Sequence, residues 1–332
     1  MTRVSVIGAG AWGTALGAVL ARATGSETTL WARRPEVADA INRTHGNPEL
    51  LPGVDLPPAL RATATLREAT ADIMVVAVPA QHVRTVISLL SGLVPPDAAL
   101  VLCAKGIERT SGYLMSEVIA DILPTARTAI LSGPSFASEV AQGLPTALAL
   151  ATDDAGLADR VQGLFAGSAL RIYANDDPIG TQVGGAAKNV LAIACGIAIG
   201  AGYGENARAA LIARGIAEIR RLGIACGGRA ETLAGLAGTG DIVLTCTSAA
   251  SRNYAFGQRL GSGAGADNPR TQGRAVVEGA ASAGAIWQLA RRLDVDMPIA
   301  ESVVQILDEG ADLRTVAVEL LARPPRADGE AA

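Results

Sequence analysis

Apolar segments alternate with amphipathic helical patterns through the first half of the chain. The strand-like segments lie near residues 3–7, 27–31, 71–79, 98–106, 128–136 and 146–152. Helical patterns lie between several of them, for example at 81–90 and 112–122. Strands that are apolar at nearly every position, alternating with helices, are typical of a mostly parallel sheet with both faces covered. The pattern therefore predicts a doubly wound α/β domain.

After about residue 177 the pattern becomes helical. The run "GGAAKNVLAIACG" (184–196) predicts a buried helix, and a long amphipathic pattern ends near Gly223. Two further helices follow, separated at Pro298. We therefore predict an α/β domain at 1–177 and an all-helical domain at 178–332, with a flexible tail from about residue 324.

The composition excludes several classes of protein. The 332 residues are 49% hydrophobic and 18% charged, with a net charge of −4, which does not fit a nucleic-acid binder. The four cysteines are far apart and form no CxxC pair, which argues against a metal site or a disulfide framework and suits a reducing cytoplasm. The apolar run at 190–202 is shorter than the roughly 20 residues of a membrane helix. We expect a soluble, cytoplasmic protein.

A glycine motif joins the first strand to the first helix. Gly8, Gly10 and Gly13 form GxGxxG in "RVSVIGAGAWGTALG". The first glycine permits a tight turn, the second lets a pyrophosphate approach the backbone, and the third lets the helix pack against the strand. The free N–H groups of the helix N-terminus favour phosphates. The motif predicts a Rossmann-like dinucleotide site whose turn includes Ala11 and Trp12.

The residues after the second strand bear on the choice of cofactor. An NAD site usually has Asp or Glu there, but this chain reads "ARRPE". Arg33 and Arg34 could hold a 2′-phosphate through charge-assisted hydrogen bonds. We favour NADP(H), with NAD(H) possible. The alternative is an exposed basic pair that opens the next helix.

Unusual polar residues collect in the helical half. Lys188 lies in an apolar run, either as a snorkelling surface lysine or as a buried functional one. Asp241 lies among glycines, Ser251 can cap the helix that follows, and Arg252 could then hold an anion. Glu278 lies between apolar residues and a glycine. Because the chain has only two histidines, acid–base chemistry is expected from a lysine or a carboxylate.

The motifs together resemble one known family, the bacterial-type NAD(P)-dependent glycerol-3-phosphate dehydrogenases. The resemblance covers nearly the whole chain in order. It runs through "VIGAGAWGTAL", "WARRPE", "AKGIE", "SGPSFA", "GGAAKNV", "AGTGDIVLTCTS", "SRN" and "VVEG". It implies interconversion of dihydroxyacetone phosphate and sn-glycerol 3-phosphate, chiefly to supply phospholipid synthesis.

The resemblance also implies roles for individual residues. Lys188 matches the proton-transferring lysine. The implied substrate contacts are Lys105, Gly133, Ser135, Lys188, Asp241, Ser251, Arg252 and Asn253. The implied cofactor contacts beyond the glycine turn and the arginine pair are Lys105, Ala137, Arg252, Val276 and Glu278. Ala11 departs from relatives that often have a hydroxyl residue there, so we expect a lost side-chain hydrogen bond and retained binding through its N–H.

The surroundings expected for Lys188 suit a proton-transferring role. Burial and a neighbouring Lys105 would both lower its pKa, while Asp241 would orient the ammonium group and limit that decrease. Two other functions stay open. One is a related two-domain dehydrogenase acting on a β-hydroxy acid or a ketopantoate-like substrate, and the other is a non-enzymatic nicotinamide sensor. The apolar helical half also suggests a homodimer.

Overall fold

The computed structural model describes residues 2–24, 28–264, 271–272 and 275–323. The chain divides into two compact units. One comprises Met1–Ala104 with Met115–Pro178, and the other comprises Lys105–Leu114 with Ile179–Ala332. The short segment Lys105–Leu114 therefore leaves the first unit and belongs to the helical one.

A single eight-stranded sheet forms the centre of the first unit. Its strands are β1 (Val4–Ile7), β2 (Thr28–Trp31), β3 (Leu60–Thr63), β4 (Ile73–Val76), β5 (Ala99–Leu102), β6 (Arg127–Ser132), β7 (Thr146–Ala151) and β8 (Leu170–Asn175). Their order is β3-β2-β1-β4-β5-β6-β7-β8, and only the β6–β7 pair is antiparallel. The first six strands follow the order of a dinucleotide-binding sheet. The predicted mostly parallel, doubly wound fold is confirmed.

Helices and a short 3₁₀ segment accompany this sheet. They are α1 (Ala11–Thr24), α2 (Pro35–Thr44), the 3₁₀ segment Leu66–Ala69, α3 (Ala80–Leu90), α4 (Met115–Ile122), α5 (Ala137–Ala141) and α6 (Ala155–Leu164). The strands bury alternate side chains in two different clusters: Val6 belongs to one and Ile7 to the other. Because successive side chains of a strand point to opposite faces, both faces of the sheet are buried.

Two strands were not predicted from the sequence. β3 and β8 lie at the two ends of the sheet, and each has polar residues among its apolar ones. An edge strand buries less surface than a central one, so its residues need not be uniformly apolar. Three predicted strands end several residues earlier in the structure: β4 ends at Val76, β5 at Leu102 and β6 at Ser132. The small and polar residues that follow belong to loops.

The second unit is almost entirely helical. Its helices are α7 (Pro178–Gly200), α8 (Gly204–Ala225), α9 (Ala230–Ala234), α10 (Asp241–Thr247), α11 (Arg252–Gly261), α12 (Glu278–Arg292), α13 (Pro298–Asp308) and α14 (Leu313–Ala322). A π-helical turn, Leu236–Gly240, precedes α10. One detail differs from the all-helical prediction: the two-residue strands β9 (Thr271–Gln272) and β10 (Ala275–Val276) pair antiparallel. The predicted separation of two helices at Pro298 is confirmed, and the predicted tail lies outside the described residues.

Helix α7 is the core of this unit. It is long and apolar enough to span a membrane, but 89% of its most apolar window is buried within the protein. Glycines let it approach α11 closely. A Cβ atom at Gly196 would overlap the carbonyl oxygen of Tyr254, and one at Gly257 would overlap that of Ile193. This packing fixes the face of α7 that carries the polar residues described next.

Candidate functional site

The glycine turn of the first unit has the geometry of a phosphate-binding turn. Gly8 has φ +119°, and a Cβ there would lie 3.1 Å from the backbone nitrogen of Val78. A Cβ on Gly13 would overlap the carbonyl oxygen of Gly8. A Cβ on Gly10, in contrast, would have no heavy atom within 4 Å. The backbone at Gly10 is therefore open to close approach, which fits a pyrophosphate at the N-terminus of α1.

A buried asparagine supports this turn, and its role was not predicted from the sequence. Asn47 Nδ2 donates to the carbonyl oxygen of Ala9 at 3.0 Å and to Thr14 Oγ1 at 2.9 Å. The backbone carbonyl oxygen of Asn47 accepts a hydrogen bond from Leu51 N at 2.7 Å. The loop after α2 is thereby tied to the glycine turn. No local pattern in "NRTHGNP" distinguishes this asparagine from an ordinary loop residue.

The two arginines after β2 have different surroundings. Arg33 is exposed, whereas Arg34 precedes α2 and is partly covered. A terminal nitrogen of Arg34 donates to Glu49 Oε2 at 2.7 Å, and its Nε lies 3.8 Å from Glu36 Oε1. The hydrogen bond with Glu49 is the main cause of a raised pKa of Arg34. The carboxylate of Glu49 was not anticipated, because it lies 15 residues along the chain from Arg34.

The "SGPSFA" motif follows the end of β6. Gly133 has φ +141°, and a Cβ there would lie 3.2 Å from Leu148 Cα. Ser135 Oγ donates to the carbonyl oxygen of Gly133 at 3.2 Å. Ala137 is the first residue of α5. These residues form a tight turn at the carboxyl end of a central strand, which is where ligands bind in sheets of this kind.

In the second unit, one carboxylate lies between two lysines. Lys188 Nζ donates to Asp241 Oδ1 at 2.6 Å and to Thr245 Oγ1 at 2.7 Å. Lys105 Nζ donates to Asp241 Oδ2 at 2.7 Å. Asp241 is 1% exposed and Lys188 is 6% exposed. The snorkelling alternative is therefore wrong: Lys188 is buried and hydrogen-bonded.

Local helix geometry brings these groups together. Asp241 is the first residue of α10, directly after the π-helical turn, and Thr245 follows one turn later on the same face. The turn lies against α7, since a Cβ at Gly184 would lie 2.8 Å from the carbonyl oxygen of Ala237. Lys188 lies one turn further along α7 than Gly184. The role of Thr245 was not predicted, although a spacing of four residues from Asp241 places the two side chains on one helix face.

The environment lowers the pKa of Lys188 to about 8. Desolvation by burial is the largest cause, and the Lys105 ammonium acts in the same direction. The Asp241 carboxylate opposes both, through its charge and its hydrogen bond. All three influences have the direction anticipated from the sequence. An amine with this pKa can both donate and accept a proton near neutral pH.

A chain of amides links the lysine cluster to two other helices. Asn189 Nδ2 donates to the carbonyl oxygen of Lys105 at 3.1 Å, and Asn189 Oδ1 accepts from Asn253 Nδ2 at 2.9 Å. Asn253 Oδ1 in turn accepts from Gly279 N at 2.9 Å. Asn189 and Asn253 are both buried. Asn189 was noticed beside Lys188 in the sequence, but this linking position could not be read from it.

The remaining candidates lie at the beginnings of α11 and α12. Ser251 caps α11 as predicted, because its Oγ accepts from Tyr254 N at 3.3 Å. Arg252 is exposed in the first turn of that helix. Glu278 is the first residue of α12, and Val276 belongs to β10. Ala11 and Trp12, in the first unit, are the first two residues of α1, and both are partly covered.

The sheet and its glycine turn, together with the helical unit and its lysine cluster, define a Rossmann-like α/β protein with a helical C-terminal half. Family models described as the N-terminus and the C-terminus of NAD-dependent glycerol-3-phosphate dehydrogenase match residues 3–158 and 177–318. The chain belongs to the NAD-dependent glycerol-3-phosphate dehydrogenase family.

Individual relatives agree with this assignment. The chain is 50% identical to a glycerol-3-phosphate dehydrogenase [NAD(P)+] of Rhodospirillum rubrum over 98% of this chain and 94% of that protein. Its fold is similar to a glycerol-3-phosphate dehydrogenase of Coxiella burnetii, with a TM-score of 0.93, 37% identity and coverage of 97% and 99% of the two chains. A 2-dehydropantoate 2-reductase of Methylococcus capsulatus shares the fold alone, at 16% identity and a TM-score of 0.56, with coverage of 97% and 98%.

Proposed function

We propose that the protein is an NAD(P)-dependent glycerol-3-phosphate dehydrogenase, which interconverts dihydroxyacetone phosphate and sn-glycerol 3-phosphate. The observation that carries this proposal is the buried lysine cluster in a member of this family. We assign residues 1–177 to dinucleotide binding and 178–332 to substrate binding and proton transfer. Reduction of the ketone needs a hydride at its carbon and a proton at its oxygen.

Several groups of the first unit would hold the dinucleotide. The open backbone at Gly10 and the first N–H groups of α1, including those of Ala11 and Trp12, would bind the pyrophosphate. Arg33 and Arg34 would meet the adenosine ribose, and we favour NADP(H) over NAD(H). The resemblance adds Ala137 in this unit, and it also implies contacts by Val276 and Glu278, which belong to the second unit. When bound, the nicotinamide supplies a hydride to the carbonyl carbon.

Lys188 would supply the proton for the carbonyl oxygen. Its ammonium group is fixed by Asp241 and Thr245, which limits it to one orientation. Lys105 places a second positive charge in the same cluster, so negative charge that develops on the substrate oxygen would be stabilised. In the reverse reaction, the neutral amine of Lys188 would accept the proton of the alcohol.

The substrate phosphate needs cations and N–H donors. Arg252 is exposed at the N-terminus of a ten-residue helix, where the guanidinium and the helix dipole both favour an anion. Asn253 and Ser251 would shape this end of the site. Gly133 and Ser135 would complete the substrate contacts from the turn after β6.

The family resemblance and two exposed apolar side chains support an expectation about the cellular context. We expect a cytoplasmic homodimer that supplies glycerol 3-phosphate for phospholipid synthesis. The side chains of Val318 and Leu321 in α14 are exposed, at 64% and 85%, which is favourable for burial against a second copy.

The test is an assay of NADPH oxidation with dihydroxyacetone phosphate, repeated with NADH. Dihydroxyacetone and ketopantoate replace the substrate as controls. We expect turnover of the phosphorylated ketone only, because Arg252 would have no anion to bind in dihydroxyacetone. Turnover of ketopantoate in preference to dihydroxyacetone phosphate would favour the related two-domain dehydrogenase. Nucleotide binding with no turnover of any ketone would favour a nicotinamide sensor.

A further inference from the structure

An ion pair lies just after β2. It contains an arginine, which can bind a 2′-phosphate, and a carboxylate, which can bind a ribose hydroxyl. Arg34 donates to Glu49 Oε2 at 2.7 Å, and both side chains are about one-third exposed. The acidic residue that often follows the second strand is absent from "ARRPE". Glu49, from the loop after α2, brings a carboxylate to this place by another route.

The loop that carries Glu49 is held in position. Two residues before it, the buried Asn47 amide bonds to the glycine turn, and two residues after it, Leu51 is 3% exposed within the core of the first unit. Glu49 is therefore presented to Arg34 from a segment that is anchored on both sides. The second acidic neighbour, Glu36, is 68% exposed and lies 3.8 Å from Arg34 Nε, so its interaction is weaker.

This arrangement has opposite consequences for the two cofactors. A 2′-phosphate would have to compete with Glu49 for the Arg34 guanidinium, and its negative charge would be repelled by the carboxylate. A 2′-hydroxyl has no such charge and could donate a hydrogen bond to a carboxylate. Arg33 is exposed and is not part of this ion pair.

We propose that Glu49 is a specificity-determining residue that opposes binding of the 2′-phosphate by occupying Arg34. The proposal rests on the proposed function, since it assumes that the adenosine ribose binds at the end of β2. Replacing Glu49 with an uncharged residue of the same shape would then shift the preference of the protein toward NADP(H).

The experiment measures the affinities of 2′,5′-ADP and 5′-AMP for the full chain by calorimetry at low ionic strength. These ligands report the ribose site without turnover. We expect Glu49→Gln to bind 2′,5′-ADP about three- to tenfold more tightly, with the affinity for 5′-AMP unchanged or lower. The matched control Glu36→Gln should change the affinity for 2′,5′-ADP less than about twofold, because its carboxylate is more distant.

A second arm shows whether the effect passes through Arg34. In an Arg34→Gln background, Glu49→Gln should improve binding of 2′,5′-ADP less than it does in the natural chain. Added salt should reduce the difference between Glu49→Gln and the natural chain. Thermal unfolding of each variant confirms that the fold is retained.

The outcomes distinguish a wrong role for Glu49 from a wrong proposed function. Equal changes for 2′,5′-ADP and 5′-AMP, or no change, in a protein that binds both ligands would overturn the role of Glu49 alone. Failure of the natural chain to bind either ligand would contradict dinucleotide binding and this proposal with it.

Discussion

Asp241 accepts a hydrogen bond from Lys188 at 2.6 Å through one carboxylate oxygen, and one from Lys105 at 2.7 Å through the other. One buried negative charge thus lies between two ammonium groups. With both lysines protonated, the cluster has a net positive charge, which suits a site where an alkoxide develops. The carboxylate also keeps the pKa of Lys188 from falling further below its ordinary value.

Removing this carboxylate should affect stability as well as activity. Asp241→Asn leaves the buried Lys188 without its counter-charge, so we expect the free energy of unfolding to fall by about 3–5 kcal/mol. Urea unfolding at neutral pH measures the change. The control is Asp296→Asn, which breaks a more exposed pair with Arg323 in the same unit and should cost no more than about 1 kcal/mol. Equal losses in the two variants would contradict the special position of Asp241.

The glycine turn predicts different results at neighbouring glycines. Gly13→Ala should lower the stability by about 1–3 kcal/mol, because the new methyl group would overlap the Gly8 carbonyl oxygen. Gly10→Ala should be nearly neutral for stability, since the methyl group meets nothing within 4 Å. The same methyl group would obstruct a pyrophosphate, so the Kd for NADPH should rise at least about tenfold. A Gly10→Ala variant that binds NADPH normally would show that the phosphates lie elsewhere.

Arg252 should act on the substrate rather than on folding. If Arg252 holds the phosphate as proposed, Arg252→Ala would remove a charge-assisted hydrogen bond, so the KM for dihydroxyacetone phosphate should rise about 10- to 100-fold. Steady-state kinetics at saturating NADPH measure it. Arg259→Ala, in the last turn of the same helix, is the matched control and should change KM less than about twofold. If the two variants behave alike, Arg252 does not hold the phosphate.

Glu218 should make the stability depend on pH. Burial raises its pKa to about 7 from an ordinary value of 4.5, although its carboxylate accepts hydrogen bonds from the Ile299 and Ala300 amides. Between these two values the folded state binds more protons than the unfolded state, so this group makes stability fall as the pH rises. The full difference corresponds to roughly 3 kcal/mol.

The measurement compares Glu218→Gln with the natural chain. Between about pH 5 and pH 8 the natural chain should lose about 1–3 kcal/mol of unfolding free energy relative to the variant. Glu309→Gln, at an exposed position after α13, should leave the pH dependence unchanged. A constant difference between Glu218→Gln and the natural chain across this range would show that Glu218 ionises normally.

Local patterns account for the parts of the fold and site that were predicted. The β1–turn–α1 segment carries its glycines, its apolar strand and its helix within about 20 residues, so its geometry follows from neighbouring positions. The apolar run of α7 likewise predicts a buried helix, and Lys188 is conspicuous as a charged residue within it. The edge strands β3 and β8 lack such a signal, because they are only partly apolar.

Most of the site residues that were not predicted act through contacts between distant segments of the chain. Glu49 meets Arg34, and Asn47 meets Ala9, only because the loop after α2 returns to the carboxyl ends of β1 and β2. Asn189 joins Lys105 to Asn253 across long sequence separations of 84 and 64 residues. Small polar residues of this kind are common in loops and helices, so their types alone do not indicate such roles.

The central claim is that Lys188 moves the proton, and the pH dependence of kcat tests it most directly. With its pKa near 8, reduction of dihydroxyacetone phosphate requires the ammonium form, so kcat should fall as the pH rises through about 8. Oxidation of glycerol 3-phosphate requires the neutral amine, so its kcat should rise through the same range. Lys188→Ala should lower kcat about 10²- to 10⁴-fold and abolish both transitions. A Lys188→Ala enzyme that keeps the kcat and the pH profile of the natural chain would contradict the account.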